Sequence, residues 1–171
     1  ISEDTDALTL DTGPLRLTID RKKPFTLFGR AQERGGPAVA GGGLEYVEGK
    51  TGTTYTAGPP KRLFLEYRGP LRVTVRAEGQ YEGPGDCRLG YITRLTAWAG
   101  RTDIRVQHRL ANSNPEQIYH ANVKSASIRL RHGFGAEAEA RGGAGRGGGR
   151  PGEGGRVWLH EGTVTRDYRA P

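Results

Sequence analysis

Leu63 to Ser113 reads LFLEYRGPLRVTVRAEGQYEGPGDCRLGYITRLTAWAGRTDIRVQHRLANS. Leu71, Val73, Val75 and Ala77 alternate with Arg72, Thr74, Arg76 and Glu78, and Ile104, Val106, His108 and Leu110 alternate with Arg105, Gln107 and Arg109. A period of two marks a strand with one buried and one wet face. Between these runs, Leu89 to Ala99 carries Tyr91, Ile92, Thr93, Thr96 and Trp98, residues that suit a pleated surface. The link Ala99-Gly100-Arg101-Thr102 is short, so strands 89–99 and 102–111 are expected to pair antiparallel as a hairpin. Neighbours in sequence then become neighbours in the sheet.

Upstream, Ser2 to Asp6 is an acidic leader expected to fray. Leu8–Asp11 and Leu15–Asp20 alternate around Thr12-Gly13-Pro14, which predicts two strands or one strand broken by a turn, and Arg21-Lys22-Lys23-Pro24 turns the chain into an apolar piece, Phe25 to Phe28. Arg30 to Gly43 is rich in glycine and reads as loop. Leu44–Val47 and Thr53–Thr56 flank Glu48 to Gly52 as a hairpin, and Pro59-Pro60 is expected to end it. Downstream, Asn112-Ser113-Asn114-Pro115 is strong turn chemistry. Val123 to Arg131 resumes alternation, with Ala126, Ile128 and Leu130 on one side. Arg141 to Arg156, RGGAGRGGGRPGEGGR, is too glycine-dense for packing to offset the lost backbone entropy. It is expected to be a flexible loop before the strand-like Val157–His160 and Thr163–Thr165. Apolar residues do not recur at helical spacing, except weakly in Phe134 to Arg141, so almost no helix is expected.

A length of 171 residues is enough for one domain with a real core. The chain has no methionine and begins with Ile1, which reads as a segment of a longer precursor. No apolar run approaches the roughly 20 residues of a membrane-spanning helix, so a soluble chain with no membrane partner is expected. A lone cysteine, Cys87 in the turn from Gly83 to Arg88, excludes an internal disulfide and a cysteine-cluster metal site. It reads as a bystander thiol. The net charge of +7 comes mostly from arginine and points to an anionic partner.

If strands 71–77, 91–98 and 104–110 are neighbours, then Arg72, Arg76, Arg94, Arg105 and Arg109 share one face with Gln107 and Trp98. Such guanidiniums hold carboxylates or sulfates bidentately. The competing reading is a solvated face whose arginines pair with Glu66, Glu78 and Asp103. His108 falls on the apolar side, as a core histidine with one satisfied hydrogen bond. Tyr119-His120, near Asn112, Asn114 and Asn122, is the best polar constellation for general-base chemistry. Gly49-Lys50-Thr51 resembles the end of a phosphate-binding loop, but Leu44 replaces the first glycine and no helix follows. No metal-ligating motif, cofactor motif or nucleophile motif is present. A self-contained enzyme is therefore disfavoured.

Three segments carry a family resemblance: Glu66-Tyr67-Arg68-Gly69-Pro70-Leu71-Arg72-Val73-Thr74-Val75-Arg76-Ala77-Glu78-Gly79, then Tyr91 to Gly100, then Ile104 to Leu110. Together with Thr12 to Ile19 and Pro24 to Phe28, they resemble the N-terminal β-barrel domain of exo-rhamnogalacturonan lyase-like (YetA-like) bacterial proteins, over roughly Leu8 to Arg131. The resemblance implies a β domain standing before a helical toroid domain that holds most of a lyase active site and acts on acidic polysaccharide. It favours an extracellular or periplasmic location. The chain departs from that plan by stopping after the β domain and by carrying the glycine insertion. No catalytic residue carries over.

The sequence thus predicts an all-β domain over residues 1–171, an antiparallel barrel or sandwich of about ten strands with long glycine-rich loops. The first functional expectation is a non-catalytic module that supports a catalytic domain and contacts acidic polysaccharide through Arg72, Arg76, Arg94, Trp98, Arg105, Arg109, Tyr119 and His120. The alternative is a direct share in β-elimination, with Tyr119 or His120 as base and Arg94 or Arg109 neutralising a uronate carboxylate. The third is nucleic-acid binding by the basic face, which a single RGG-type insertion between strands does little to support.

Overall fold

Alternating segments become strands where a neighbouring strand takes up their backbone and a second layer buries their apolar side, and among the described residues most of them do both. The computed structural model describes residues 1–36, 38–85, 89–112 and 122–132, all within a unit spanning Ile1–Gly133. Its strands are β1 (Ser2–Glu3), β2 (Ala7–Asp11), β3 (Leu15–Asp20), β4 (Arg30–Glu33), β5 (Ala38–Glu48), β6 (Thr54–Arg68), β7 (Arg72–Glu82), β8 (Leu89–Trp98), β9 (Ile104–Asn112) and β10 (Val123–His132). All pair antiparallel, and β1 to β9 follow one another in sheet order while β10 pairs with β5. Among the described residues there is no helix, and the fold is all-β as the periodicity requires. The expected glycine-arginine loop 141–156 and the strands at 157–160 and 163–165 lie outside the described residues, as does Cys87.

The architecture turns on β5. One edge pairs with β4 at Ala38 and Val39 and with β6 at Glu45 to Val47, while β10 runs along the other edge from Val39 to Glu48. Strands β1–β4 therefore leave from one end of β5 and strands β6–β9 from the other. The two wings face each other across one core. Leu8, Leu10, Leu17 and Ile19 come from the first wing and Tyr55, Leu63, Val75, Ala77, Tyr81, Tyr91 and Leu95 from the second, with Leu44 and Tyr46 from β5 between them. Burying each leucine, isoleucine or valine among them contributes about 1.5–3 kcal/mol.

The segment Phe25 to Phe28 joins the layers. Phe25 stacks on Tyr91 with ring centres 5.1 Å apart, and its amide donates to the Gly58 carbonyl at 3.2 Å. The Tyr91 hydroxyl donates to the same carbonyl at 2.9 Å, and burial pushes this phenol well above its ordinary range, so it stays a donor. Leu27 is buried at φ 71°, a backbone conformation uncommon outside glycine. At the far end, the Gly100 amide donates to Thr12 at 2.7 Å and the Thr12 hydroxyl to Arg101 at 2.7 Å, tying the β2–β3 turn to the β8–β9 turn.

Four local expectations are corrected. Arg30 to Gly43 is not loop but β4 and the first half of β5: the Gly41 amide donates to Phe28 at 3.1 Å, and a Cβ there would lie 1.6 Å from the Thr26 carbonyl oxygen. Glycine at this position permits close backbone approach rather than breaking the strand. Pro59-Pro60 does not end the hairpin strand, because β5 has already left and the β7 ladder is irregular between Ala57 and Arg62; proline is tolerated at such edges and bulges. Ser2–Glu3 does not fray but pairs with Leu8 and Thr9. Leu71 is not an inward strand residue; it sits in the turn before β7, 74 % exposed. The strand expected at Val123–Arg131 is present as β10, yet both of its sides are open, and only Leu130 on its apolar side packs against the core.

Candidate binding face

The outward side of β7, β8 and β9 collects the arginines by register alone. Arg72 lies opposite Trp98, Thr74 opposite Thr96 and Arg76 opposite Arg94, while Thr96 faces Arg105, Arg94 faces Gln107 and Ile92 faces Arg109. All seven residues predicted to share a face do so. Two guanidiniums directly opposite each other, as Arg76 and Arg94 are, destabilise a sheet unless a carboxylate intervenes.

Glu66 is that carboxylate. The β6–β7 ladder shifts register between Leu65 and Tyr67, leaving Glu66 without a β7 partner, and such a bulge re-aims side chains. Arg94 donates to Glu66 bidentately, Nε to Oε2 at 2.6 Å and Nη2 to Oε1 at 2.7 Å, and Arg76 Nη1 donates to Oε1 at 3.0 Å. Glu78 accepts from Arg76 at 2.6 Å and from Arg62 at 3.2 Å. The Arg94 hydrogen bonds, with the Arg76 bond and both positive charges, hold the Glu66 carboxyl down at about 2, against the cost of its desolvation, and Glu66 in turn raises Arg94. Thr74 and Thr96 are buried beside this network, their hydroxyls 3.1 Å apart. Arg76 Nε is buried with no hydrogen-bond partner among the described residues, and the guanidinium lies 6.0 Å from the Phe64 ring centre. The network is part of the packing.

The predicted set therefore divides. Arg76 and Arg94 are committed to Glu66 and Glu78, as the solvated-face reading expects, although Asp103 pairs with Arg101 instead. Arg105 and Arg109 are exposed and, among the described residues, meet no carboxylate within ion-pairing distance. Arg72 is also exposed without one; its guanidinium stacks 4.4 Å from the Tyr67 ring centre. Trp98 is half-buried beside Arg72, with Arg101 5.6 Å over its ring. Tyr119 and His120 lie outside the described residues. Sequence reasoning missed Tyr67 as part of this face, because simple alternation from Phe64 gives it no outward position; only the bulge does.

His108 projects from the opposite side of β9, as predicted, but with both ring nitrogens engaged rather than one. Nε2 is 2.9 Å from the Tyr81 hydroxyl and Nδ1 is 2.7 Å from the Thr93 hydroxyl. Burial lowers its pKa to about 4, so the ring is neutral at ordinary pH. A group so enclosed cannot serve chemistry on the arginine face.

Near the turn before β7 a cleft of about 120 Å³ opens between Leu10, Asp11, Leu71, Arg72 and Trp98. Pockets that enclose a drug-sized ligand run to about 300–1,000 Å³. The cleft is well below that range.

A test of the network follows directly. Glu66→Gln removes the charge between Arg76 and Arg94, and charge-assisted hydrogen bonds contribute about 1.5–3 kcal/mol each set. The variant is expected to unfold about 1–2 kcal/mol earlier in urea at pH 7, since the amide oxygen keeps one acceptor. Because the folded carboxyl titrates lower than the unfolded one, its stabilisation is present above about pH 4.5 and is lost as pH falls toward 2. The variant's urea midpoint should lack that part of the acid limb; an unchanged midpoint at pH 7 would remove the network from the account of stability.

Comparison with known proteins returns no matching family model, no matching curated protein and no matching solved structure.

Proposed function

We propose that the chain is a non-catalytic β domain of a polysaccharide lyase-like protein and that it contacts acidic polysaccharide through the outward side of β7 to β9. The observation that carries this is the row of Arg72, Arg105 and Arg109, presented on one face beside Trp98 without carboxylate partners among the described residues, while Glu66 and Glu78 satisfy Arg76 and Arg94. An extended, open basic surface suits a repeating polyanion, and a net charge of +7 adds long-range attraction. His108 is the one described histidine of this sheet whose contacts are set, and it is enclosed on the other side.

The test is a binding panel of rhamnogalacturonan, polygalacturonate, a sulfated ulvan-type glycan and a neutral glucan at low and moderate salt, with absorbance from new unsaturated uronates followed in parallel. Selective binding of an acidic glycan is expected. Arg105→Ala/Arg109→Ala should weaken it about tenfold or more and flatten its salt dependence, as loss of two phosphate-like contacts does for polyanions. Equal binding of the neutral glucan would overturn the reading, and so would growth of unsaturated product by the isolated chain. Tight salt-sensitive binding of RNA with no glycan binding would replace it with the nucleic-acid reading.

A further inference from the structure

We infer that the cleft before β7 is a self-association surface whose occupant is a second copy of this chain. Leu71 is 74 % exposed and Tyr67 47 % exposed, yet neither belongs to a loose loop. The Leu71 carbonyl accepts from the Ala99 amide at 2.9 Å, and the Gly69 amide donates to Arg72 at 2.9 Å, so the turn is pinned at both ends. A large apolar side chain held out on a rigid backbone, next to a tryptophan, a tyrosine and an arginine, has the composition of an interface centre.

The charges say which partner. Arg72 lines the cleft on one side and stacks on Tyr67 with no carboxylate among the described residues. Asp11 lines it on another side; among the described residues its carboxylate accepts the Gly13 amide at 2.8 Å and meets no cation within ion-pairing distance, Arg16 opposite it in the β2–β3 ladder included. An apolar floor flanked by Arg72 and Asp11, neither of them ion-paired among the described residues, is self-complementary. A two-fold axis through the cleft sets Arg72 of each copy on Asp11 of the other and Leu71 of each copy into the other's cleft, the reciprocal contact that an isologous dimer requires. The cleft shares Arg72 and Trp98 with the proposed polysaccharide face but not Arg105 or Arg109, and the self-association is argued from Leu71, Arg72 and Asp11 alone, so this inference does not rest on polysaccharide binding. Its small extent, well under the 20–30 residues a side of a standard interface, makes the dimer weak, with a Kd on the order of 100 µM.

Sedimentation velocity of the full chain from low to high micromolar concentration tests this. The wild type is expected to shift toward dimer across that range. Leu71→Asp, Arg72→Asp and Asp11→Arg should each weaken dimerisation about tenfold or more, with thermal melts confirming that these surface variants remain folded. Arg72→Asp/Asp11→Arg in one chain should restore it, because the pair is exchanged rather than lost. A wild type monomeric throughout overturns the inference. A dimer indifferent to all three single substitutions, or a double exchange that stays monomeric, overturns it as well.

Discussion

Gly41→Ala is expected to lower the melting temperature by about 10 °C or more, corresponding to about 3 kcal/mol or more in a domain of this size. The added Cβ would stand 1.6 Å from the Thr26 carbonyl oxygen and 2.6 Å from that of Phe28. Both are backbone atoms, so no rotamer change relieves the overlap. The Phe25–Phe28 segment must move away from β5, and with it go the Phe25–Tyr91 stack and the buried Leu27 and Phe28. Gly43→Ala is the control. Its φ of +110° strains an alanine, but nothing lies within 4 Å of the new atom, so about 1 kcal/mol is expected. Two variants with equal melting temperatures would show that the loop does not press on β5.

The second large effect is acid sensitivity from His108. A neutral imidazole offers one N–H and one lone pair, and the Tyr81 and Thr93 hydroxyls use both. A second ring proton removes the acceptor and places a charge in the core. With an unfolded pKa near 6.5 and a folded one of about 4, the unfolded chain binds more protons between these values, so stability falls as pH drops through that window. It is fully present above about pH 6.5, and the loss reaches about 3 kcal/mol near pH 4. Glu66 contributes only below about pH 4.5, so the span from 6.5 to 4.5 isolates the histidine. Urea midpoints across it should slope for the wild type and flatten in His108→Gln, which keeps a donor and an acceptor without titrating. His108→Ala should cost about 2–3 kcal/mol at pH 7 by removing the ring that the buried Thr93 and Tyr81 hydroxyls both meet and leaving its space unfilled. An equal slope in wild type and His108→Gln would assign the acid loss elsewhere.

The strands β7, β8 and β9 were legible because alternation, β-branched residues and a short turn agree there, and the shared face of Arg72, Arg76, Arg94, Arg105 and Arg109 followed from period alone. Which of those arginines stay open was not legible. That depends on one irregular residue, Glu66, whose aim is set by a register shift in the paired strand. The glycines of β5 misled in the other direction, since a glycine required for close approach and a glycine that breaks a strand look alike in one dimension. Pro59-Pro60 misled for a related reason: its harm depends on whether a neighbour needs the missing N–H, and β5 has already parted from β6 there. The pairing of β10 with β5 joins distant segments that no local pattern links.

That pairing also sets an order of events in time. From β1 to β9 each strand meets its predecessor, so those contacts form by short-range hairpin closure; β10 must close a loop of roughly 80 residues before it gains any contact on β5. Until it arrives, one whole side of β5 is an unsatisfied ladder. A nascent chain is therefore most prone to pair with other chains in the interval between synthesis of Glu48 and arrival of Val123.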